Sequence, residues 1–221
     1  MYNNNGTDNS KEILTPYIEK GIVTWIDWPG KRQQINIYNN GVQRFKDETR
    51  WLAIVDLDEF IVPMNNKRLA DTLPEFEAYN QILLHWVIYG SSGHIQKTPG
   101  LVLERFKHHQ EGVWPLTKAI VNPKAVVYAH VHSSVVLGKT VDEKKNILPK
   151  MKTIMPSADY IKINHYVIKS QEEFLKKKNK GRALGNFTDD FFKGHDRNEV
   201  SDTMDMTPII NTIKKNMESM K

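Results

Sequence analysis

The chain has 221 residues, of which 39% are hydrophobic, so it can bury the core of one α/β domain. It has no cysteine, which excludes disulfides and thiolate metal sites, and no run of about 18 apolar residues that would span a membrane. The net charge of +5 is compatible with nucleic acid, an anionic membrane face or a diphosphate substrate as partner. We expect a single domain over residues 1–221, with a C-terminal helical tail over about 186–221 packed on it.

The first part of the chain predicts a helix, a strand, a second helix and a second strand. Apolar residues at helical spacing indicate helices over residues 11–20 and 33–46, and short apolar runs indicate strands over 22–26 and 52–55. The order strand, helix, strand implies parallel pairing through a right-handed crossover. Residues 52–55 are continuously apolar, which is typical of a central strand that is covered on both faces. We therefore predict an α/β fold.

The later elements are predicted from the same periodicities and from turn residues. Ser170 and Glu173 form a capping box, which starts a helix that runs to about Lys180. Residues 136–156 show no clear period, and we interpret them as a loop that acts as a lid. The other predicted elements are a weak helix over 68–79, a strand over 82–89, a short helix over 101–106, strands over 118–121, 125–131 and 160–168, and a C-terminal helix from Thr207.

Three carboxylates directly follow the apolar run at 52–55: Asp56, Asp58 and Glu59. Ligands of open α/β sheets bind at the carboxyl ends of strands, and residues two apart in an extended chain share a face. Mg²⁺ or Mn²⁺ commonly bridges such carboxylates to substrate phosphates. The alternative is an acidic, solvated turn, because an Asp-x-Asp pair alone is common.

Residues 51–63, with the sequence WLAIVDLDEFIVP, resemble the D-x-D-E-F segment of glycosyltransferase family 92 and related bacterial family 2-like enzymes. Residues 2–10, 85–94 and 164–170 resemble further segments of these enzymes in the same order. The resemblance implies a GT-A-like fold, which is a Rossmann-like nucleotide-diphospho-sugar transferase with a mixed sheet flanked by helices. It also implies a nucleotide-sugar donor, a divalent metal and inversion at the sugar carbon. The family pattern has a first strand and helix before the segment at 2–10, so we expect an N-terminally incomplete fold that binds its donor poorly.

The resemblance also implies which residues bind the metal and the donor. Other GT-A enzymes place a metal-binding histidine in a late strand, so His165 is our first choice beside Asp56 and Asp58 for Mn²⁺ or Mg²⁺, with His132 as the alternative. A satisfied core histidine is the structural alternative for His165. Lys169 precedes a helix N-terminus, which favours phosphate. The donor-binding candidates are Asp56, Lys169, Arg182, Asn5 and Asp8.

Inversion requires a base within about 2.6–3.2 Å of the acceptor hydroxyl. The candidates are Glu104, His94 and Asp196. His94 ends the segment Gly90-Ser91-Ser92-Gly93-His94, which we interpret as a mobile loop beside the acceptor sugar, the alternative being an ordinary glycine turn. Trp86 is a minor candidate for stacking on a sugar ring, although a tryptophan in an apolar strand more often lies in the core.

These observations predict a metal-dependent, inverting hexosyltransferase that uses a UDP-sugar and a glycan or lipid-linked acceptor in cell-surface polysaccharide synthesis. The alternative is a catalytically impaired fragment or a non-catalytic sugar- or nucleotide-binding remnant of that fold. A nucleic-acid binder is the weakest hypothesis, because no recognised motif accompanies the positive charge. We expect a cytoplasmic protein, with peripheral association at the inner face of the membrane and homodimerisation through an unpaired sheet edge as further expectations.

Overall fold

The computed structural model describes residues 1–64, 67–149, 155–180 and 186–220. Its α-helices are α1 (Ser10–Glu19), α2 (Gln34–Phe45), α3 (Leu69–Thr72), α4 (Val102–Arg105), α5 (Gln171–Lys180), α6 (Asp189–His195) and α7 (Thr207–Glu218). Its strands are β1 (Tyr2–Asn3), β2 (Ile26–Asp27), β3 (Leu52–Ile54), β4 (Glu59–Pro63), β5 (Gln81–Ile88), β6 (His108–His109), β7 (Trp114–Val121), β8 (Val126–Ala129), β9 (Ser134–Val136), β10 (Thr140–Asp142), β11 (Ile161–His165) and β12 (Val200–Ser201). Two 3₁₀ turns lie at Leu73–Phe76 and Pro123–Ala125.

The main sheet has six strands and mixed directions. Along it the order is β3-β7-β5-β11-β4, and β10 pairs with the first half of β5. The central strand β5 is buried at all eight positions, runs antiparallel to β7 and is parallel to both β10 and β11. β3 and β4 both pair antiparallel to their neighbours and form the two edges of this sheet. The remaining strands form three two-stranded sheets: β1 with β2, β6 with β12, and β8 with β9.

Helices cover both faces of the sheet. Successive residues of β5 point to opposite sides, and each side carries apolar residues that need to be buried. The largest cluster packs one face of β5 and β11 against α5 and α6; its members include Ile82, Leu84, Ile163, Phe174 and Phe187. The other face is covered by α2 near the start of β5 and by α7 near its end; these clusters include Val42 with Leu83 and Val121, and Val87 with Tyr166 and Met206. The architecture is therefore a mixed α/β sheet flanked by helices, as expected, and it is compatible with a GT-A fold.

Several predicted elements are confirmed with boundaries shifted by one or two residues. The helices predicted over 11–20 and 33–46 are α1 and α2, and the strand predicted over 82–89 is β5. The capping box is present, since the Ser170 hydroxyl accepts from the Glu173 N–H at 3.2 Å and the Ser170 N–H donates to Glu173 Oε2 at 3.4 Å. The C-terminal helix is α7, and its Ile209, Ile210 and Ile213 pack against the core.

The predicted parallel crossover was wrong. The strand expected over 22–26 is reduced to β2, which pairs in parallel with β1 and not with β3. The run at 52–55 was predicted to be a central strand, but β3 is an edge strand, and Val55 lies beyond it with 37% of its surface exposed. Continuous apolarity misled here because only one side of the run is packed: Ile54 is buried against residues of α2, whereas Ala53 and Val55 are exposed.

Two predictions in the middle of the chain were also wrong. The strand predicted over 125–131 ends at Ala129, so His130 and His132 lie in the turn between β8 and β9 and do not alternate on a strand. The region 136–156 was predicted to be a loop, but it contains β10, which is buried against β5. In its described part, Asp142 Oδ1 accepts from the backbone N–H groups of Lys144 and Asn146; residues 150–154 lie outside the described residues. Within the described ranges, no helix is long and apolar enough to cross a membrane.

Candidate active site

The loop that carries Asp56 and Asp58 crosses the main sheet from one edge to the other. It leaves β3 at Ile54 and enters β4 at Glu59, and these strands lie at opposite edges. The crossing brings the loop to side chains of the strands between them: Asp56 contacts Lys118 of β7, and Asp58 lies beside His165 at the end of β11. Side chains from distant parts of the chain therefore converge on four residues of loop.

Both oxygens of Asp56 are hydrogen-bonded. The Lys118 ammonium donates to Oδ2 at 2.8 Å, and the Tyr38 hydroxyl of α2 donates to Oδ1 at 3.1 Å. The side chain of Lys118 is 1% exposed, whereas that of Asp56 is 41% exposed. Burial raises the pKa of Tyr38 to about 12, with Asp56 adding to the effect, so its hydroxyl remains a donor at neutral pH. The protein thus holds both oxygens of Asp56, while part of this side chain is in contact with solvent.

Asp58 is paired with a lysine on the helix after β11. Lys177 of α5 donates to Asp58 Oδ2 at 2.7 Å, and His165 Nε2 lies 3.8 Å from Asp58 Oδ1. Burial opposes ionisation of Asp58, but Lys177 and His165 outweigh it and lower the pKa of this carboxyl. Burial lowers the pKa of His165 to about 4, so its imidazole is neutral at neutral pH and retains a free electron pair for a ligand or a proton.

Glu59 begins β4 and is fully buried beneath this loop. Its Oε2 accepts from the Asp56 backbone N–H at 2.9 Å and lies 3.5 Å from the Lys118 ammonium. Its Oε1 is buried, accepts no hydrogen bond from the described residues and lies 4.0 Å from His165 Nε2. Burial raises the pKa of Glu59 to about 7, although Lys118 acts against the rise. Glu59 therefore fixes the start of the acidic loop from inside the sheet.

The chemistry of these side chains suits a divalent cation, but their arrangement does not. Among the described residues, no three His, Cys, Asp or Glu side chains converge closely enough to hold a metal ion. Each of the two aspartates is bound to a lysine ammonium, which takes the place that an ion would occupy on the carboxylate. As arranged, Asp56, Asp58 and His165 do not form the three-ligand site that the sequence predicted. His132, the alternative ligand, packs edge-on against Trp86, and its Nδ1 lies 3.1 Å from the Thr117 carbonyl oxygen.

A groove of about 570 Å³ lies beside Asp56. Its walls combine apolar side chains of α2 and β3 with the amide side chains of Asn4 and of the start of α2, and residues of the acidic loop also line it. The lining residues include Asn4, Gln33, Gln34, Ile37, Tyr38, Leu52, Ile54 and Asp56. A groove of this size and mixed polarity is suited to a small ligand with both apolar and hydrogen-bonding surface.

The donor-binding candidates near the N-terminus, Asn5 and Asp8, take part in local hydrogen bonds. Asn5 does not line the groove and donates to the Gly30 carbonyl oxygen at 2.9 Å, and Asp8 accepts from the Ser10 N–H at the start of α1 at 3.2 Å. Lys169 lies near Asp58, and burial lowers its pKa. The first N–H groups of α5 are already used: those of Gln171 and Glu172 donate to carbonyl oxygens at 3.2 and 2.9 Å. These N–H groups are therefore not available to a phosphate, which removes the reason for predicting one at this helix start. Arg182 lies outside the described residues.

Two of the three base candidates, His94 and Asp196, help to hold the segment after β5, whereas Glu104 bonds within the start of α4. His94 Nε2 lies 2.9 Å from the Arg105 carbonyl oxygen, Glu104 accepts from the Leu101 N–H at 2.9 Å, and Asp196 accepts from the Ser91 N–H at 2.7 Å. The loop predicted to be mobile is thus tied to α4 and to residues 196–198. A Cβ at Gly90 would lie 2.4 Å from the Arg197 carbonyl oxygen. The backbone at Arg197 therefore comes too close to position 90 for any residue with a side chain, which accounts for the glycine there.

Trp86 belongs to the core. Its side chain packs at ring-centroid distances of 5.4 Å from His132 and 4.4 Å from His165, and the residue is 8% exposed. A buried ring with histidines against it has no open face for a sugar. The minor prediction that Trp86 stacks on a sugar is therefore wrong in this structure.

Sequence reasoning missed three residues of the site: Tyr38, Lys118 and Lys177. Lys118 and Lys177 lie 62 and 119 positions away from their aspartate partners, so no local pattern connects them. A weak signal exists for Lys118, because it stands in an otherwise apolar strand where a lysine must find a buried counter-charge.

The fold and the site define an α/β protein with a groove that is partly lined by an acidic loop at the sheet, an arrangement suited to binding a small polar ligand. A sequence model of glycosyltransferase family 92 matches residues 1–191, and the chain belongs to that family. It is therefore a glycosyltransferase, with a sugar donor and an acceptor as its general partners. A search of curated proteins found no match to the chain.

Proposed function

We propose that the chain transfers a hexose, with inversion, from a UDP-sugar to a glycan or lipid-linked acceptor in cell-surface polysaccharide synthesis. The observation that carries this proposal is the groove of about 570 Å³ that Asp56 helps to line, in a chain that belongs to glycosyltransferase family 92. The resemblance of residues 51–63 to the D-x-D-E-F segment supports the same assignment.

The groove is the proposed donor site. A nucleobase presents apolar faces and an edge of donors and acceptors, and the groove offers Ile37 and Leu52 for the faces and the amides of Gln33 and Gln34 for the edge. Asp56 and Leu57 of the acidic loop line this groove, so a nucleoside bound there would have its diphosphate within reach of the loop. Asn5, Asp8, Lys169 and Arg182 remain predicted donor contacts.

The chemical task is to stabilise negative charge on the leaving diphosphate while a base removes the acceptor proton. Lys118, Lys169 and Lys177 supply positive charge near Asp56 and Asp58. His94, Glu104 and Asp196 remain the candidates for the base. The resemblance also predicts Mn²⁺ or Mg²⁺ on Asp56, Asp58 and His165, and this stays a prediction; because the described arrangement does not suit an ion as it stands, no step above passes through a metal.

The alternative is an impaired or non-catalytic remnant, which one observation favours: both oxygens of Asp56 are already engaged by Tyr38 and Lys118. A related expectation is homodimerisation, supported by the position of β3 at the sheet edge. A solution mass equal to one chain would contradict that expectation. The cytoplasmic location and association with the membrane face remain predictions.

The test is UDP binding by calorimetry, with Mn²⁺ and separately with chelator. Ile37→Trp should weaken UDP binding by about tenfold or more, because the larger ring would take up space in the groove that the ligand needs. Ile13→Trp is the matched control, since Ile13 is 61% exposed on α1 and does not line the groove. Unchanged UDP affinity in Ile37→Trp would refute the donor site. No UDP binding by the wild-type chain in either buffer would favour the remnant.

A further inference from the structure

The two aspartates of the acidic loop are each neutralised by a lysine from a different element. Lys118 of β7 lies 2.8 Å from Asp56 Oδ2, and Lys177 of α5 lies 2.7 Å from Asp58 Oδ2. Both distances are those of direct, charge-assisted hydrogen bonds. A divalent ion on these carboxylates would have to displace an ammonium from each of the oxygens that the lysines hold.

The two lysines differ in their freedom to move. Lys118 is 1% exposed, and its ammonium also lies 3.5 Å from the fully buried Glu59, so its departure would leave two carboxylates without their cation. Lys177 is 33% exposed on a surface helix. It also donates to the Val167 carbonyl oxygen at 2.8 Å and lies 5.2 Å from the Phe187 ring. Lys118 is therefore a fixed counter-ion, whereas Lys177 can exchange its partner.

The local charges balance without a metal. Lys118 pairs with Asp56 and Lys177 pairs with Asp58, and Lys169 adds a third positive charge near Asp58. A diphosphate that approaches the loop thus does not meet two uncompensated carboxylates, which would repel it in the absence of a cation.

We propose that Lys118 and Lys177, in place of a divalent ion, balance Asp56 and Asp58, and that Lys177 is the residue that binds the donor diphosphate. This inference rests on the proposed function, because it assumes a nucleoside-diphosphate donor. On donor binding the Lys177 ammonium turns from Asp58 to a phosphate oxygen, so that one charge-assisted hydrogen bond replaces another, and Lys169 remains near Asp58 as its compensating cation. Lys118 stays in place and keeps Asp56 and Glu59 paired.

The experiment measures UDP affinity by calorimetry at constant ionic strength, in chelator and in Mn²⁺, for the wild type, Lys177→Met and Lys178→Met. Lys178 is the matched control: it is the next residue of α5, has 34% of its side chain exposed and pairs with Asp189 at 2.7 Å. The wild type should bind UDP in chelator within about threefold of its affinity in Mn²⁺. Lys177→Met should lose about tenfold or more in chelator, as expected for a lost charge-assisted hydrogen bond, and Lys178→Met should bind as the wild type does.

Two results would overturn this inference while leaving the proposed function intact. The first is UDP binding by the wild type only when Mn²⁺ is present. The second is UDP affinity of Lys177→Met in chelator that equals or exceeds that of the wild type. Absence of UDP binding by the wild type in both buffers would instead refute the proposed function and this inference with it. Circular dichroism of each variant establishes that a lost affinity does not reflect unfolding.

Discussion

Replacing Glu59 by Gln should remove a specific pH dependence of stability. The carboxyl is fully buried, and burial raises its pKa from 4.5 to about 7, with Lys118 opposing the rise. Between these two pH values the unfolded chain has lost the Glu59 proton and the folded chain has kept it. Stability contributed by the raised pKa is therefore lost as the pH rises from 4.5 to about 7. Each pKa unit is worth about 1.4 kcal/mol, so the wild type should lose about 3 kcal/mol that Glu59→Gln does not lose.

The assay is urea unfolding followed by tryptophan fluorescence, in chelator, at several pH values between about 4.5 and about 8. The difference in unfolding free energy between Glu59→Gln and the wild type should change by about 3 kcal/mol across this range, in favour of the variant at high pH. The Gln side chain keeps an oxygen to accept from the Asp56 N–H, and Lys118 keeps Asp56 as its partner. The surface variant Glu48→Gln corrects for the loss of one negative charge from the chain. Parallel pH profiles of Glu59→Gln and wild type would refute the reasoning.

Three further changes probe the site and its supports. Gly90→Ala should cost about 1–3 kcal/mol in thermal unfolding, because its Cβ would lie 2.4 Å from the Arg197 carbonyl oxygen, and an unchanged melting temperature would contradict the close approach. Arg105→Met should cost about 3–5 kcal/mol in urea unfolding at neutral pH, because it leaves the Glu173 carboxylate, 15% exposed, without its bidentate partner. Burial alone would raise the pKa of Glu173, but the pairing with Arg105 lowers it to about 2. The cost of Arg105→Met should therefore shrink as the pH falls from 4.5 towards 2, because Glu173 then becomes protonated. Asp58→Asn should abolish sugar transfer while circular dichroism stays unchanged, and retained turnover would remove Asp58 from the site.

Elements with strong local signals could be predicted from the sequence. The apolar periodicity of α2, the capping box of Ser170 and the unbroken apolar run of β5 each result from forces within a short stretch of chain. β10 could not be found in this way. It has only three residues, lies in polar surroundings, and owes its strand conformation to pairing with β5, about 60 residues earlier in the chain.

The site was predictable only in part, for the same reason. Asp56 and Asp58 were evident from the acids that follow an apolar run, and the structure does bring His165 to 3.8 Å from Asp58. Their cationic partners were not evident. The apolar residues that follow Lys118 are a weak sign that it is buried, but nothing near it in sequence indicates which carboxylates its ammonium contacts.

The position of the acidic loop depends on elements that do not touch the groove. Because β3 and β4 lie at opposite edges, residues 55–58 must pass over the strands between them, and they are fixed there by β7 through Lys118 and by α5 through Lys177. α5 is in turn held by Phe174, which packs at 5.9 Å from Phe187 and at 5.1 Å from Phe192. A change in that aromatic cluster would shift Lys177 and, through it, Asp58. The charge balance at the acidic loop is therefore a property of the whole tertiary fold, and the Asp-x-Asp motif alone does not determine which cation its carboxylates bind.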